Sequence, residues 1–250
     1  MNNTDISLEI FGVKIARLSY MDLLKEIETN IQFKKKLTIT YVTANSLNLI
    51  YNDDSLRKTF SGIDLVHPDG IGVFFASKIL FPGNSFNKRM TGSDFYPVLI
   101  AEAIKNKWKM FFWGDTKETQ DKLSDRLNNQ LTFEGHPGYD YSDADVIAKI
   151  NEFKPDILLV GLGSPKQEEW IINNNGKIDS NVTIAVGDGL KVFAGTKVRG
   201  PKIAQRLGFE WVFRLLNDPK RLWKRYIYGI PLFILRVFSV KLRYIIRSGT

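Results

Sequence analysis

Asp156-Ile157-Leu158-Leu159-Val160-Gly161 runs directly into Leu162-Gly163-Ser164-Pro165-Lys166-Gln167-Glu168. An unbroken apolar run with no polar alternation marks a strand covered on both faces, and the glycines and proline after it mark a turn into a helix. Working outward, comparable strands are expected at 37–43, 64–67, 109–113 and 182–186, with helical spacing between them. Ahead of these, Ser7–Phe11 and Lys14–Leu18 joined by Gly12-Val13 read as a hairpin, and Ser19 as the cap of a helix carrying Met21, Leu23, Leu24 and Ile27. The expected fold is therefore α/β: a Rossmann-like, mostly parallel sheet flanked by helices, with right-handed crossovers and a basic helical C-terminal appendage.

Composition bounds the chemistry. The chain has 250 residues, no cysteine, and two histidines, His67 and His136, so it forms no disulfide and lacks the ligands of a typical structural zinc site. A hydrophobic share of 44% with 25% charged residues fits neither a disordered chain nor a coiled coil. Of the net charge of +8, residues 201–250 carry +9, eleven basic against two acidic, which leaves −1 for residues 1–200. Two units are expected: a core over 1–198 and a basic, aromatic-rich appendage over 199–250. Met1–Glu9 lacks the apolar stretch of a secretory leader, and no run reaches the roughly 18 apolar residues of a spanning helix. The expected location is cytoplasmic, peripheral on the inner face of the plasma membrane.

In open α/β sheets, ligands bind beyond the carboxyl ends of the strands, beside helix N-termini. The residues expected there are Thr43-Ala44-Asn45, Pro68-Asp69-Gly70, Gly114-Asp115-Thr116, Gly161–Glu168 and Gly187-Asp188-Gly189. Small residues with free N–H groups beside carboxylates and amides suit a phosphate-bearing ligand. Asp69 has two readings, a general base for an acceptor hydroxyl or ordinary Pro-Asp-Gly turn chemistry. Gly163, Gln167 and Glu168 open a helix, with Ser164 as its cap and Pro165 in its first turn. Gln167 either reads a base or sugar through its amide or belongs to the scaffold. Lys166 stands where a dinucleotide fingerprint needs its third glycine, so a Rossmann cofactor is not expected. Ser142-Asp143-Ala144-Asp145 has the spacing of a metal-binding acid pair, yet acids just after a serine cap serve the helix dipole, so no metal is implied. In Arg89-Met90-Thr91-Gly92-Ser93-Asp94, Arg89 could meet a phosphate and Asp94 a sugar hydroxyl, or Thr91 could cap a helix. Gly114 and Tyr139, in the loops nearer the middle of the chain, complete the ligand-facing candidates.

The tail is divided by Pro201, Pro219 and Pro231. If Pro231 starts a helix, Arg236, Arg243 and Arg247 fall within about 40° of one another around its axis, with apolar residues over much of the rest. That composition suits a helix lying at a membrane surface, with the arginines at the headgroups. A core-packing helix and a nucleic-acid arm are the competing readings, and the many aliphatic residues disfavour the latter.

Six motifs in this order resemble the WecG/TagA/CpsF family of bacterial glycosyltransferases over about residues 10–230: Thr43-Ala44-Asn45, Pro68-Asp69-Gly70-Ile71-Gly72, Arg89–Asp94, Gly161–Glu168, Glu210-Trp211-Val212-Phe213-Arg214-Leu215, and Pro219-Lys220-Arg221 with Arg225-Tyr226. The resemblance implies an inverting, metal-independent transfer without cofactor. A sugar, often N-acetylmannosamine or its uronic acid, would pass from a UDP-sugar to a polyprenyl-diphosphate-linked sugar at the membrane surface. It implies Asp69 as general base, Thr43 and Asn45 near the reacting sugar, and Gln167, Gly187 and Asp188 by the nucleotide. Arg214, Arg221 and Arg225 would be brought over the site by the tail. Two positions depart from the family pattern: Arg199-Gly200-Pro201 for Arg-Ala-Pro, and Lys191 where relatives commonly place an acid. A nucleotide-sugar oxidoreductase and a non-catalytic membrane- or nucleic-acid-binding module are the alternatives, and a homo-oligomer is left open.

Overall fold

The computed structural model describes residues 7–197 and 200–248, with the side chains of 206, 207, 247 and 248 left out of the description. Arg199 and the side chain of Arg247 thus lie outside the described residues, as does the expected boundary at 198/199. A hairpin, β1 (Ser7–Ile10) and β2 (Val13–Ala16), precedes α1 (Tyr20–Gln32). The larger sheet contains β3 (Leu37–Val42), β4 (Leu65–Pro68), β5 (Met110–Gly114), β6 (Phe133–His136), β7 (Ile157–Gly161) and β8 (Val182–Ala185). Between β3 and β4 lie α2 (Ala44–Ile50) and α3 (Asp54–Ser61), and between β4 and β5 lie α4 (Ile71–Leu80) and α5 (Gly92–Asn106). Helices α6 (Lys117–Leu127), α7 (Asp143–Phe153) and α8 (Lys166–Asn174) make the remaining crossovers. After β8 come α9 (Leu190–Phe193), α10 (Lys202–Leu207), α11 (Glu210–Asn217), α12 (Pro219–Trp223), a π-helical turn Lys224–Tyr228, and α13 (Gly229–Ser248).

The six strands pair in the order β4-β3-β8-β7-β5-β6, every pair parallel. Alternation along each strand divides the core between the two faces, as the pleat requires. Phe111, Trp113, Leu158, Val160 and Ala185 face one side, and Met110, Phe112, Ile157, Leu159 and Ile184 the other. Both sets are buried, which is why these strands read as continuous apolar runs.

Four sequence expectations need correction. The hairpin turn is Phe11-Gly12, not Gly12-Val13: both turn residues have positive φ, 54° and 80°, and Val13 is already a buried strand residue. Strand β6 was not expected, because Phe133-Glu134-Gly135-His136 sits at a sheet edge with its middle residues exposed and so lacks an apolar signature. Pro165 is the N-cap of α8, after a cis Ser164-Pro165 bond, rather than a first-turn residue capped by Ser164. Ser142 gives α7 no side-chain cap, and Asp143 instead accepts a hydrogen bond from Trp170 Nε1 at 2.9 Å, tying α7 to α8.

The tail packs back onto the core. Phe233 and Val237 of α13 and Leu222 of α12 are buried, and the first two join Leu47, Val73 and Ala76 in the main core. Burying each such side chain contributes roughly 1.5–3 kcal/mol, so α13 is part of the folded body. Among the described residues no helix is long and apolar enough to cross a membrane.

Candidate active site

The sheet order makes neighbours of the four strands whose exits carry the sharpest candidates. Asp69 follows β4, Asn45 follows β3, Asp188 follows β8, and Gln167 follows β7. At about 4.8 Å per strand these exits span three spacings, near 14 Å, the width of a cleft for a sugar nucleotide. Gly114 ends β5 and Tyr139 follows β6, one and two strands further out. Tyr139 is exposed, and Gly114 lets the ends of β5 and β7 meet: a Cβ there would stand 2.6 Å from the Gly161 carbonyl.

Asp69 is half-buried and held at one oxygen. Its Oδ1 accepts the Gly92 N–H at 3.0 Å, its own N–H donates to Val42 O, and the next N–H, of Gly70, donates to Met90 O. Gly70 takes φ 88°, which turns the chain sharply from β4 into α4. Gly92 must be glycine for space, since a Cβ would lie 2.6 Å from the Tyr96 hydroxyl. Among the described residues Asp69 Oδ2 has no protein hydrogen bond, so one carboxylate oxygen remains open to a hydroxyl. Thr91 caps α5: its Oγ1 accepts the Asp94 N–H and donates to Asp94 Oδ2 at 2.8 Å. Thr43 likewise caps α2, accepting the Ser46 N–H. Arg89 is half-buried in the loop before α5, with no ion pair among the described residues.

Gln167 and Glu168, expected beside the ligand, are both buried, which accords with the scaffold reading of Gln167. Glu168 is fully buried, and its Oε1 accepts from Thr40 Oγ1 at 2.7 Å and from Gln167 Nε2 at 2.8 Å. Gln167 Oε1 accepts the Gly187 N–H at 3.0 Å. A chain of hydrogen bonds therefore runs from the strand β3 through Glu168 and Gln167 to the turn bearing Asp188, whose φ at Gly187 is 51°. Burial pushes the Glu168 carboxyl up, against the hydrogen bonds from Gln167 and Thr40 that favour its charge. The burial follows from register: at the start of α8 these two side chains face the sheet. Gly163, with φ 82° and open space around it, remains on the rim.

Above this floor the tail supplies positive charge. Arg221 Nη1 lies 3.7 Å from Asp188 Oδ1 and its Nε 2.6 Å from Asp218 Oδ2, while Arg214 Nη2 pairs with Glu210 Oε1 at 3.0 Å. Burial pushes the Asp188 carboxyl up, but Lys197, Arg221, Lys191 and Arg214 outweigh it and hold it below the usual carboxylate range. Burial opposes the Arg214 charge, and Glu210, Tyr226 and Asp69 together overcome that opposition. Asp69 and the Arg214 guanidinium are thus within electrostatic reach of one another. Lys191 Nζ lies 3.9 Å from Asp115 Oδ2.

Beside this cluster, Asn45, Asn48, Arg221, Lys224, Arg225 and Arg236 help line a cavity of about 450 Å³ in which no carboxylate takes part. Arg236, expected at a membrane surface, is held against α2. Its Nη1 donates to Asn48 O at 2.6 Å and Asn48 Oδ1 at 3.1 Å, and its guanidinium lies 4.5 Å from the centre of the Tyr51 ring. Arg243 donates to the Tyr51 hydroxyl at 2.6 Å. Both arginines face α2 because Phe233, Val237 and Val240 turn that side of α13 inward.

Sequence reasoning missed Lys197. Burial, with Arg214 beside it, lowers its pKa to about 8, against the opposing pull of Asp188, Asp69 and Glu210. An isolated lysine in Gly195-Thr196-Lys197 carries no sequence signal, since only the fold places it among those charges. Lys197 is cationic below about pH 8 and neutral above it. An anionic ligand bound beside it therefore gains from the charge only on the acid side. The expected result is a kcat/KM that falls as pH rises through about 8, with the limb absent in Lys197→Arg, whose charge persists. A parent and variant with superimposable pH profiles would remove Lys197 from ligand binding.

The sequence model described as the glycosyl transferase WecG/TagA/CpsF family matches residues 8–246. An N-acetylglucosaminyldiphosphoundecaprenol N-acetyl-beta-D-mannosaminyltransferase of Staphylococcus aureus strain MW2 is 32% identical over 241 residues, covering 94% of this chain and 93% of the relative. The proteins so described from strain COL and strain MSSA476 have the same identity and coverage.

Proposed function

The chain belongs to the WecG/TagA/CpsF family of glycosyl transferases, and from that premise we propose that it moves an N-acetylmannosamine-like sugar from a UDP-sugar to a polyprenyl-diphosphate-linked sugar, inverting the anomeric centre. The observation that carries this reading is that Asp69, one of whose oxygens has no hydrogen bond among the described residues, lies within electrostatic reach of Arg214, while Arg221 pairs with Asp188 two strand exits away.

In a single displacement the acceptor hydroxyl attacks the anomeric carbon from the face opposite the leaving group. Asp69 takes the hydroxyl proton as the new C–O bond forms, and the bond from the anomeric carbon to the UDP oxygen breaks. UDP departs with added negative charge, which Arg214, Arg221 and Lys197 are placed to meet. Gln167 and Glu168 act as positioning residues, fixing the Gly187-Asp188 turn. Thr43 and Asn45 lie between the Asp69 and Asp188 exits, where the transferred sugar would sit. Thr91, Gly92 and Asp94 border Asp69 on the acceptor side, with Arg89 beside them. The cavity lined by Arg225 adjoins Asn45 and suits the acceptor's diphosphate.

The membrane part of the proposal rests on α13. Ile234, Leu235, Phe238, Leu242, Ile245 and Ile246 are all at least 46% exposed and fall on one arc, opposite the buried Phe233 and Val237. An arc of this width flanked by cations suits a lipid surface, where a polyprenyl acceptor resides. The test is a panel of UDP-sugars offered with a synthetic lipid-diphosphate N-acetylglucosamine, with the product identified by mass spectrometry. A disaccharide-lipid formed from UDP-N-acetylmannosamine is expected. Transfer from another donor alone would move the proposal to that sugar, and no transfer from any would reject it.

A further inference from the structure

A second cavity lies on the cationic flank of α13, away from the strand exits. Its volume is about 550 Å³, and it is lined by Phe11 and Gly12 of the hairpin turn, Tyr51, Asn52 and Arg57 around the start of α3, and Val240, Arg243 and Tyr244 of α13. Arg243 is seven residues beyond Arg236, so at 1.5 Å per residue the cavity is about 10 Å further along the helix than the diphosphate cavity proposed above.

Its chemistry is that of an amphiphile site. Two guanidinium groups line it and no carboxylate does. Arg57 Nη2 donates to Tyr51 O at 3.2 Å, its Nη1 pairs with Asp54, and its buried Nε has no hydrogen-bond partner. It lies so close to the hairpin turn that a Cβ on Gly12 would stand 2.6 Å from Arg57 Cδ, so the glycine that permits the turn also admits the arginine. Arg243 Nη2 is bound only by the hydroxyls of Tyr51 and Ser239, and no acid pairs with Arg243 among the described residues. The remaining walls are aromatic and aliphatic. On α13, Arg243 stands at the border of the exposed arc that contains Leu235, Leu242 and Ile246. A bound molecule could therefore place negative charge between the arginines and apolar chains along the arc.

We propose that this cavity is the headgroup site of an anionic phospholipid, with its phosphate between Arg57 and Arg243 and its acyl chains on the outer arc of α13. The inference rests on reading that arc as lipid-facing and does not depend on the transfer chemistry. It differs from diffuse attraction to a charged surface, which contributes about 1 kcal/mol per basic residue wherever the residue lies.

The full chain is titrated with short-chain phosphatidylglycerol below its micellar concentration, with short-chain phosphatidylcholine, and with glycerol phosphate, by calorimetry. It is also sedimented with phosphatidylcholine vesicles with and without phosphatidylglycerol. Saturable binding of the short-chain anionic lipid is expected, weakened at least about tenfold in Arg243→Gln. Lys241→Gln, which removes one charge from the opposite flank of the arc, should cost vesicle binding about fivefold or less. Tyr51→Phe removes the hydroxyl that holds Arg243 without changing charge, and it should weaken the short-chain lipid as well. Arg57→Gln is secondary because Arg57 also supports the end of α2. Equal losses in Arg243→Gln and Lys241→Gln would overturn the site in favour of diffuse attraction. Glycerol phosphate binding as tightly as the lipid would overturn the lipid assignment and leave an anion site. If the parent chain ignores all vesicles, the lipid-facing reading fails, and the short-chain titration, which needs no bilayer, still decides whether the cavity takes the headgroup.

Discussion

Asp69→Asn loses roughly 10² to 10⁴ in kcat with lipid-linked acceptor while melting where the parent chain melts. The substitution is nearly isosteric, and the amide oxygen can still accept the Gly92 N–H that now reaches Asp69 Oδ1 at 3.0 Å. The turn from β4 into α4 should therefore survive, along with the backbone bonds Asp69 N–H to Val42 O and Gly70 N–H to Met90 O. The amide lacks the ability to take a proton, so the attacking hydroxyl keeps its proton until bond formation is advanced. The measurement is UDP release with and without acceptor, beside a thermal melt and donor binding by calorimetry. Intact donor binding with lost turnover is the expected pairing. Turnover within tenfold of the parent would show that the acceptor proton leaves by another route, and Asp69 would revert to a turn residue that also receives the α5 N-terminus.

The second large effect is expected at Arg214. Arg214→Gln should lower kcat by about 10² to 10³, the usual loss when one preorganised donor is removed from charge that develops in the transition state. The donor's KM should change less, because the charge that Arg214 is proposed to meet develops on the leaving oxygen only as the bond breaks. Glutamine can keep a hydrogen bond to Glu210 Oε1, now 3.0 Å from Arg214 Nη2, which limits the structural cost. Arg214→Lys keeps the charge but loses the planar fork, so an intermediate kcat is expected. A purely structural role would instead lower the melting temperature and leave kcat within a few-fold. Point substitution is the cleaner probe here. Removing residues 201–250 would also strip Phe233 and Val237 from the core, and lost activity would then report lost folding.

The Staphylococcus aureus relatives act, by their names, on N-acetylglucosaminyldiphosphoundecaprenol. The arrangement of α11 to α13 gives that type of substrate a physical rationale. The same segment carries the arginines above the strand exits and the exposed apolar arc. An acceptor with a charged diphosphate and a long hydrocarbon chain needs both, side by side. The proposed phospholipid site would add a third element, a headgroup contact that fixes how the helix lies on the surface.

The sequence by itself determined the parallel sheet and the strand exits, and it offered Asp69 at one of them. Unbroken runs such as Ile157-Leu158-Leu159-Val160 arise only where both faces are covered, and glycines with positive φ cluster where chains turn into helices. It did not disclose β6, whose edge position demands no apolar pattern, nor the inward register of Gln167 and Glu168. Lys197 was invisible because its depressed pKa comes from burial and from Arg214, residues apart in the chain. Arg236 and Arg243 share one stripe of α13 in the sequence, but only the packing of Phe233 and Val237 decides that this stripe also meets Asn48 and Tyr51. Local pattern records how many faces of an element are buried, whereas which neighbour buries them, and hence which charges meet, follows from long-range packing.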